Sequence, residues 1–425
     1  MAATSLAGCG GSDGKQSGET TTELGSGEAG QLTFVYMGDA DQQKAFTSLF
    51  EVFNKDYPDI KLKAMGIPSG DWATFSNTVA TRLAGGEKID IIQVATEGQR
   101  LFASKGILTD LDPFIEKDKD YVDEYWEDID PRLKEFNEKY ASGPNGETVF
   151  IPGGYNTMAL YLNKSTFEAA GVEIPENGDW TWDEFLDAAR QIKEKTGAFM
   201  MPASSSYFGA IMPWLTTNGT STFNDDWTQP TFNSPAAVEA ASFARQLVEE
   251  ELVPAPGGQF DVNSAFKQGK LAAIDGGRWV TLGIRDMDVV DDTVVVNWPT
   301  KVGHGSPVGW DAWNITERSE NKDAAWTFIK FLMSKEAGEY FASVGGTIVP
   351  ARLSVAESSY FTDNAPAEVT RLADAMSWAT AIPSIDRGAE AQKIMEESWL
   401  TIISGQGDAQ AVLDNAQDQL AALVE

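Results

Sequence analysis

One cysteine and one histidine are all that this 425-residue chain has of either. A lone thiol closes no internal disulfide. The scarcity of both residues also removes zinc sites and thiol chemistry. A single His304 leaves little for general acid–base work at neutral pH. No apolar run approaches the roughly 18 residues that a membrane-spanning helix needs. Bases are scarce too: 32 Lys and Arg stand against 64 Asp and Glu, a net charge of −32. Such a surface repels a phosphate backbone, which excludes nucleic acid as a partner, and it disfavours direct contact with anionic lipid headgroups. No repeat of 20–50 residues is visible.

What is present is a globular composition, 42% apolar with 13 tryptophans. The length exceeds what one core usually serves, so two domains are expected. After Gln31 the pattern reads β-α-β-α-β. Leu32-Thr33-Phe34-Val35-Tyr36-Met37 is a strand, Ala45, Phe46, Leu49, Phe50 and Phe53 mark a helix, and Ile60–Ala64 alternates as a second strand. Asp71 stands as N-cap to a helix over 72–83, and Asp90-Ile91-Ile92-Gln93-Val94 is a buried strand. That order implies a mostly parallel sheet. Further on, helices are expected from Asp179 to about 195 and over 235–251, 263–268, 324–333, 335–344, 390–403 and 409–423. Short strands are expected at 271–274 and 294–296.

The single cysteine has a telling setting. Leu6-Ala7-Gly8-Cys9, followed by a Gly/Ser-rich run, resembles a bacterial lipoprotein processing site. There the chain is cut before the cysteine, whose sulfur receives a diacylglyceryl group, and two acyl chains suffice for stable anchoring. Only eight residues precede Cys9 and none is basic, so they read as a trimmed signal. The alternative is a chance Leu-Ala-Gly-Cys in the tail of a soluble protein. Residues 10–30 read as a flexible tether, with structure beginning at Gln31.

Four stretches then carry a family resemblance: Lys105-Gly106-Ile107-Leu108-Thr109-Asp110-Leu111; Ile151-Pro152-Gly153-Gly154-Tyr155-Asn156 on to Lys164; Ala265-Phe266-Lys267-Gln268-Gly269-Lys270 on to Trp279; and Ala324–Leu332 with Gly345-Gly346-Thr347-Ile348-Val349-Pro350. In this order, behind Cys9 and its tether, they resemble the extracellular solute-binding proteins of ATP-driven (ABC) importers, in the sugar-binding cluster that includes the maltodextrin-binding proteins. The resemblance implies an α/β, two-lobed periplasmic-binding-protein-like fold with discontinuous lobes, a hinge and a central ligand cleft. It assigns 1–30 to lipobox remnant and tether, 31–155 with 309–347 to one lobe, and 156–308 with 348–425 to the other. It implies a receptor rather than an enzyme. The receptor would capture an oligosaccharide and deliver it to membrane permease subunits, as a monomer with no cofactor or metal, lipid-anchored on the outer face of a Gram-positive cell.

Sugars present flat CH faces and a rim of hydroxyls, so aromatic rings and carboxylates or amides suit them. The resemblance places Trp279 at a sugar-stacking position, and Asp39 and Glu97 at acids that bind hydroxyls. Asn156 stands where relatives often carry Glu; an amide both donates and accepts, a carboxylate only accepts. Tyr155 and Tyr207 are placed beside the cleft by the same match. From the residues alone, Trp214, Trp310 and Trp378 sit where turns are expected and are candidate platforms, and Asp311 lies in the second crossing region. Trp326 and Trp399 fall within apolar helix patterns and are assigned to packing. Two other readings stay open: a secreted glycoside hydrolase using paired carboxylates, and the same binding fold specific for a polyol or other small solute.

Overall fold

The computed structural model describes residues 20–24, 31–38, 40–344 and 346–424. Cys9 and Asp39 lie outside the described residues. The strands in chain order are β1 (Thr20–Leu24), β2 (Gln31–Met37), β3 (Lys61–Ile67), β4 (Ile91–Ala95), β5 (Ile151–Asn156) and β6 (Ala159–Asn163). They continue with β7 (Ala273–Gly276), β8 (Thr293–Asn297), β9 (Ser306–Ile315), β10 (Val349–Pro350) and β11 (Ala379–Ala381).

These strands form two sheets. The larger has the order β1-β3-β2-β4-β9-β5-β10, with β11 added along β9; the smaller has the order β7-β6-β8. Strands β2, β3 and β4 are parallel and are joined by helices Ala40–Asp56 and Trp72–Ala84. Helices cover both faces, so β2 is apolar almost throughout, with Leu32, Phe34, Val35 and Tyr36 fully buried. Phe34, Phe50 and Phe53 pack edge-on against Phe328 of helix Lys322–Met333, with centroids 5.0–6.0 Å apart across the cluster. Asp71 is extended and its carboxylate accepts from Thr74 N at 2.7 Å, the expected cap.

Two expectations change. The sheet is parallel over β2–β4 and again where β11 joins β9, and antiparallel elsewhere. Strand β9 runs antiparallel to both β4 and β5 because it returns from the other sheet, with no crossover helix to impose a parallel direction. Ordered structure also begins before Gln31. Strand β1 lies antiparallel on β3, from Thr20 opposite Gly66 to Leu24 opposite Leu62. Three consecutive threonines favour extended chain, so the 10–30 segment is not tether throughout.

The small sheet carries its own core. Helix Trp182–Thr196 opens with a reciprocal cap, Thr181 with Glu184, and ends on Gly197 at φ +74°. Trp182 stacks on Phe243 at 4.6 Å, and Trp214 meets Trp182 edge-on at 5.5 Å and Trp298 at 4.9 Å. The C-terminal helices Gly388–Ile403 and Ala409–Val424 pack on this side. Trp326 and Trp399 are buried, as the helix patterns imply. The chain passes between sheets at Thr157-Met158 and again over 298–305. These passages are tied: Thr157 Oγ1 donates to Leu372 O at 2.6 Å and Met158 N donates to Ser306 Oγ at 2.8 Å.

Candidate functional site

Where β5 ends, its last residue meets the turn that follows β7. Asn156 Oδ1 accepts from Arg278 N at 2.9 Å, and Asn156 Nδ2 donates to Thr347 O at 3.0 Å. One amide thus joins three segments that are far apart in sequence. Trp279 follows directly. Its ring folds back over Gly277, where an added Cβ would lie 2.4 Å from the indole and 2.6 Å from Asn156 Oδ1. Only glycine fits there, for reasons of space. Arg278 turns the other way, 1% exposed, with its guanidinium donating to Phe361 O at 2.8 Å and lying over the Phe361 ring. Trp279 is 38% exposed, which is unusual for so large a ring.

Phe208 completes an aromatic corner, 6.1 Å from Trp279 with the rings at 51°. It sits on a five-residue π-helical turn, Tyr207–Ile211, that leads into helix Met212–Thr217. Such turns are rare and often mark functional positions. Phe208 also reaches the large sheet, since a Cβ on Gly309 of β9 would stand 3.3 Å from its ring.

Two carboxylates, Glu396 and Glu97, stand beside the π-turn that carries Phe208. Tyr207 N donates to Glu396 Oε1 at 2.8 Å, which fixes helix Gly388–Ile403 against the π-turn. Glu97, at the start of helix Thr96–Ala103, keeps a partly exposed surface, yet crowding around it pushes its pKa up to about 7, and the negative charge of Asp71 adds to the rise. Glu396 is raised as well, by burial and by Asp71. On β7, Asp275 is raised to about 6 by burial. Arg100, on the helix of Glu97, is paired with Asp386 at 3.4 Å, and Arg387, at the N-cap of the helix of Glu396, is paired with Glu390. An acid-rich, aromatic surface suits a ligand rich in hydroxyls and lacking negative charge.

The other sequence candidates are placed elsewhere. Trp214 is 3% exposed within the small-sheet core and Trp310 is 1% exposed. Trp310 Nε1 donates to Asn137 Oδ1 at 3.2 Å beneath helix Pro131–Tyr140, and its ring stacks on Phe136. Neither indole has a face open to a ligand, so both platform expectations are corrected. Trp214 lies in a helix that starts at Met212-Pro213, not in a turn. Trp310 faces the covered side of the sheet, opposite Tyr155 in register. Tyr155 is 1% exposed, and burial raises its pKa. Tyr207 is 3% exposed, with its hydroxyl held by Thr222 and by Pro383 O. Asp311 is 4% exposed on the opposite face of β9 from Trp310, accepting from Gln93 Nε2. Trp378 is half-buried against His304, at 4.7 Å. Trp279, Asn156 and Glu97 are therefore the described candidates left with accessible surface beside the corner. Phe208, Glu396 and Asp275 are additions. A Tyr-Phe pair ahead of Met-Pro offered a weak signal for Phe208; nothing local marked the two acids.

Among the described residues, no group of three His, Cys, Asp or Glu side chains could hold a metal, and no helix is long and apolar enough to cross a membrane. A recess of about 220 Å³ lies on the large-sheet lobe, between Leu83, Ile107 and Arg318, and does not touch the aromatic corner.

Comparison with known proteins gives three results. A family profile described as bacterial extracellular solute-binding protein matches residues 39–339. A Brucella abortus chain named only as a binding protein is 25% identical over 402 residues, covering 89% of this chain and 90% of its own. Among solved structures, an ABC substrate-binding protein of Listeria monocytogenes in complex with cycloalternan superposes with a TM-score of 0.79 at 22% identity, covering 93% of this chain and 99% of that one. The GacH receptor of Streptomyces glaucescens, solved unliganded and with acarbose, superposes at 0.77 with 24% identity, covering 93% and 98%. The two-lobed α/β fold expected from the sequence is thus the fold of this chain.

Proposed function

The chain belongs to the bacterial extracellular solute-binding proteins, and from that premise we propose that it is the receptor of an ABC importer that captures a neutral oligosaccharide between its lobes. The observation that carries this reading is the half-open Trp279 ring, set against Phe208 on a π-helical turn whose Tyr207 N–H is held by Glu396. An indole covers the CH face of a pyranose, and carboxylates accept from its hydroxyls. The cycloalternan and acarbose in the Listeria and Streptomyces structures support a carbohydrate rather than a polyol or amino acid. One lobe is built on the larger sheet, which takes in β5 to Asn156, β9 from Ser306 and β10 at Val349–Pro350, and the other on the smaller sheet, so the expected limits at 155, 308 and 347 each move by a few residues. Sugar that touches both favours the closed arrangement by its differential affinity, and the permease reads that arrangement. The protein binds without chemistry, as a monomer, and Cys9 carries a diacylglyceryl anchor on the outer face of a Gram-positive cell membrane.

Calorimetric titration with a panel of neutral oligosaccharides, with tryptophan fluorescence in parallel, tests the reading. Saturable heat from one linkage class, lost in Trp279→Ala, is the expected result. Heat only from polyols or amino acids would overturn the ligand class. Slow heat continuing past saturation would reveal turnover and overturn binding without chemistry.

A further inference from the structure

Asn156 stands where a ligand-binding side chain is expected from the sequence, but its hydrogen bonds run within the protein. Its Oδ1 holds the backbone N–H of Arg278, the residue just before Trp279, at 2.9 Å; its Nδ2 holds Thr347 O at 3.0 Å. The amide and the indole meet at one place, above Gly277, where an added Cβ would stand 2.6 Å from Asn156 Oδ1 and 2.4 Å from the indole. The indole also lies over Gly276, where an added Cβ would stand 3.2 Å from its Nε1. Arg278 points away into the core, and Trp279 is 38% exposed. Its side chain has one aromatic neighbour, Phe208, at 6.1 Å.

We propose that Asn156 is the positioning residue for Trp279. By clamping the Gly277-Arg278 backbone to the Thr347 segment, it sets the angle at which the indole faces the cleft. It couples that angle to the Thr347 segment, which leads into β10. Half of the amide's capacity is spent on these two bonds. A side chain fixed from both ends costs a ligand little ordering entropy, which is how preorganisation raises affinity. Glutamate at this position could accept from Arg278 N but could not donate to Thr347 O. The amide is therefore what the clamp requires.

The binding arm of the test rests on the proposed sugar site; the first arm does not. The protein is labelled with 5-fluorotryptophan, and the Trp279 signal is identified as the fluorine resonance missing from Trp279→Phe. Asn156→Ala is expected to shift or broaden that one resonance and leave the other twelve unchanged, which also verifies the fold. Asn156→Asp keeps the acceptor for Arg278 N but loses the donor to Thr347 O, and is expected to place that resonance between the wild-type and Asn156→Ala positions. Should Asn156→Ala fold poorly, Gly277→Ala intrudes on the same contact and is expected to move the same resonance. A Trp279 resonance unmoved by both Asn156→Ala and Gly277→Ala overturns the proposal.

The second arm titrates wild type, Asn156→Ala, Trp279→Ala and the double variant with maltotriose, lactose and raffinose. Asn156→Ala is expected to weaken the sugar that binds wild type best by about tenfold, and the double variant is expected to bind no worse than Trp279→Ala alone. Losses that multiply would show that Asn156 acts on sugar independently of the indole, and would overturn the proposal. If none of the three sugars binds wild type, the sugar reading fails while the fluorine spectra still decide the role of Asn156.

Discussion

Tyr140 and Trp227 lie face to face, ring centroids 4.0 Å apart and planes 6° from parallel. Tyr140 ends helix Pro131–Tyr140, which packs on the large sheet. Trp227 sits in the 223–230 turn, which packs on the small-sheet side through Gln417. The stack is reinforced by Tyr140 OH donating to Asp225 O at 2.8 Å and by Lys139 near Asp226 at 3.8 Å. Trp227 takes a left-handed backbone, φ +56°, which is unfavourable for a side chain with a Cβ. Here the stack and the Asn224 hydrogen bonds offset that strain.

Tyr140→Ala is accordingly expected to destabilise the protein by about 2 kcal/mol, combining lost aromatic stacking with lost buried area. Tyr140→Phe is expected to cost only about 1 kcal/mol, the worth of one hydrogen bond. Urea midpoints at constant slope report both. Equal losses in the two variants would mean that the hydroxyl, not the ring, holds the turn.

Trp279 and Trp214 are expected to separate binding from folding. Trp279→Ala, at an exposed ring, is expected to lose sugar binding with a melting temperature close to wild type. Trp214→Ala removes a ring that is 3% exposed among Trp182, Phe243 and Trp298. It is expected to cost about 3–5 kcal/mol. A Trp214→Ala protein that melts like wild type but binds no sugar would place Trp214 back in the cleft.

Stability is expected to fall as pH rises through the range where Asp311 titrates. Burial raises its carboxyl to about 6 in the folded protein, above the unfolded value of about 3.9. The native state therefore holds a proton that the unfolded chain has released. The associated stability is complete below about pH 4 and is lost by about pH 6. Asp311→Asn keeps an acceptor for Gln93 and places an amide where Oδ1 has no partner. Melting curves across that range are expected to be flatter for the variant, with the variant the more stable at about pH 7.5. An unchanged slope would assign the effect to Glu97 or Asp275 instead.

Arg352 is 5% exposed and binds Glu124 with both Nη atoms, Asp128 at 2.9 Å and Met333 O at 2.7 Å. Arg352→Met is expected to destabilise by about 2–3 kcal/mol. That is less than a fully buried pair loses, because Glu124 is 60% exposed and can be rehydrated. Arg352→Lys is expected to recover little, since an ammonium cannot span the forked contacts. Full recovery by lysine in thermal melts would reduce the interaction to simple charge.

Local signals were legible because their causes are local. The Asp71 cap, the helix opening after Asp179 and the short apolar runs of β2 and β4 each depend on residues within one turn or one strand. The parallel β-α-β-α-β start follows from helices between strands. The tryptophans were not legible in this way. Met212-Pro213 was read as a turn, yet proline at a helix's first turn permits the helix that buries Trp214. On β9, alternation put Trp310 and Asp311 on opposite faces, but nothing local says that helix Pro131–Tyr140 covers one of them.

The sequence by itself determined the parallel β-α-β-α-β start, because hydrophobic period, caps and turn residues act over a few positions, while the two-lobed architecture and the family came through the resemblance carried by four longer stretches. It also determined that any ligand meets a surface rich in acids and aromatics. Only the tertiary structure decided which rings face the cleft and which side chains support them. Asn156, Arg278 and Thr347 are separated by 122 and 69 residues, and their hydrogen bonds form only after both sheets and the passages between them are in place. A sequence pattern records what each residue prefers beside its neighbours; which distant backbone closes over it is settled by packing.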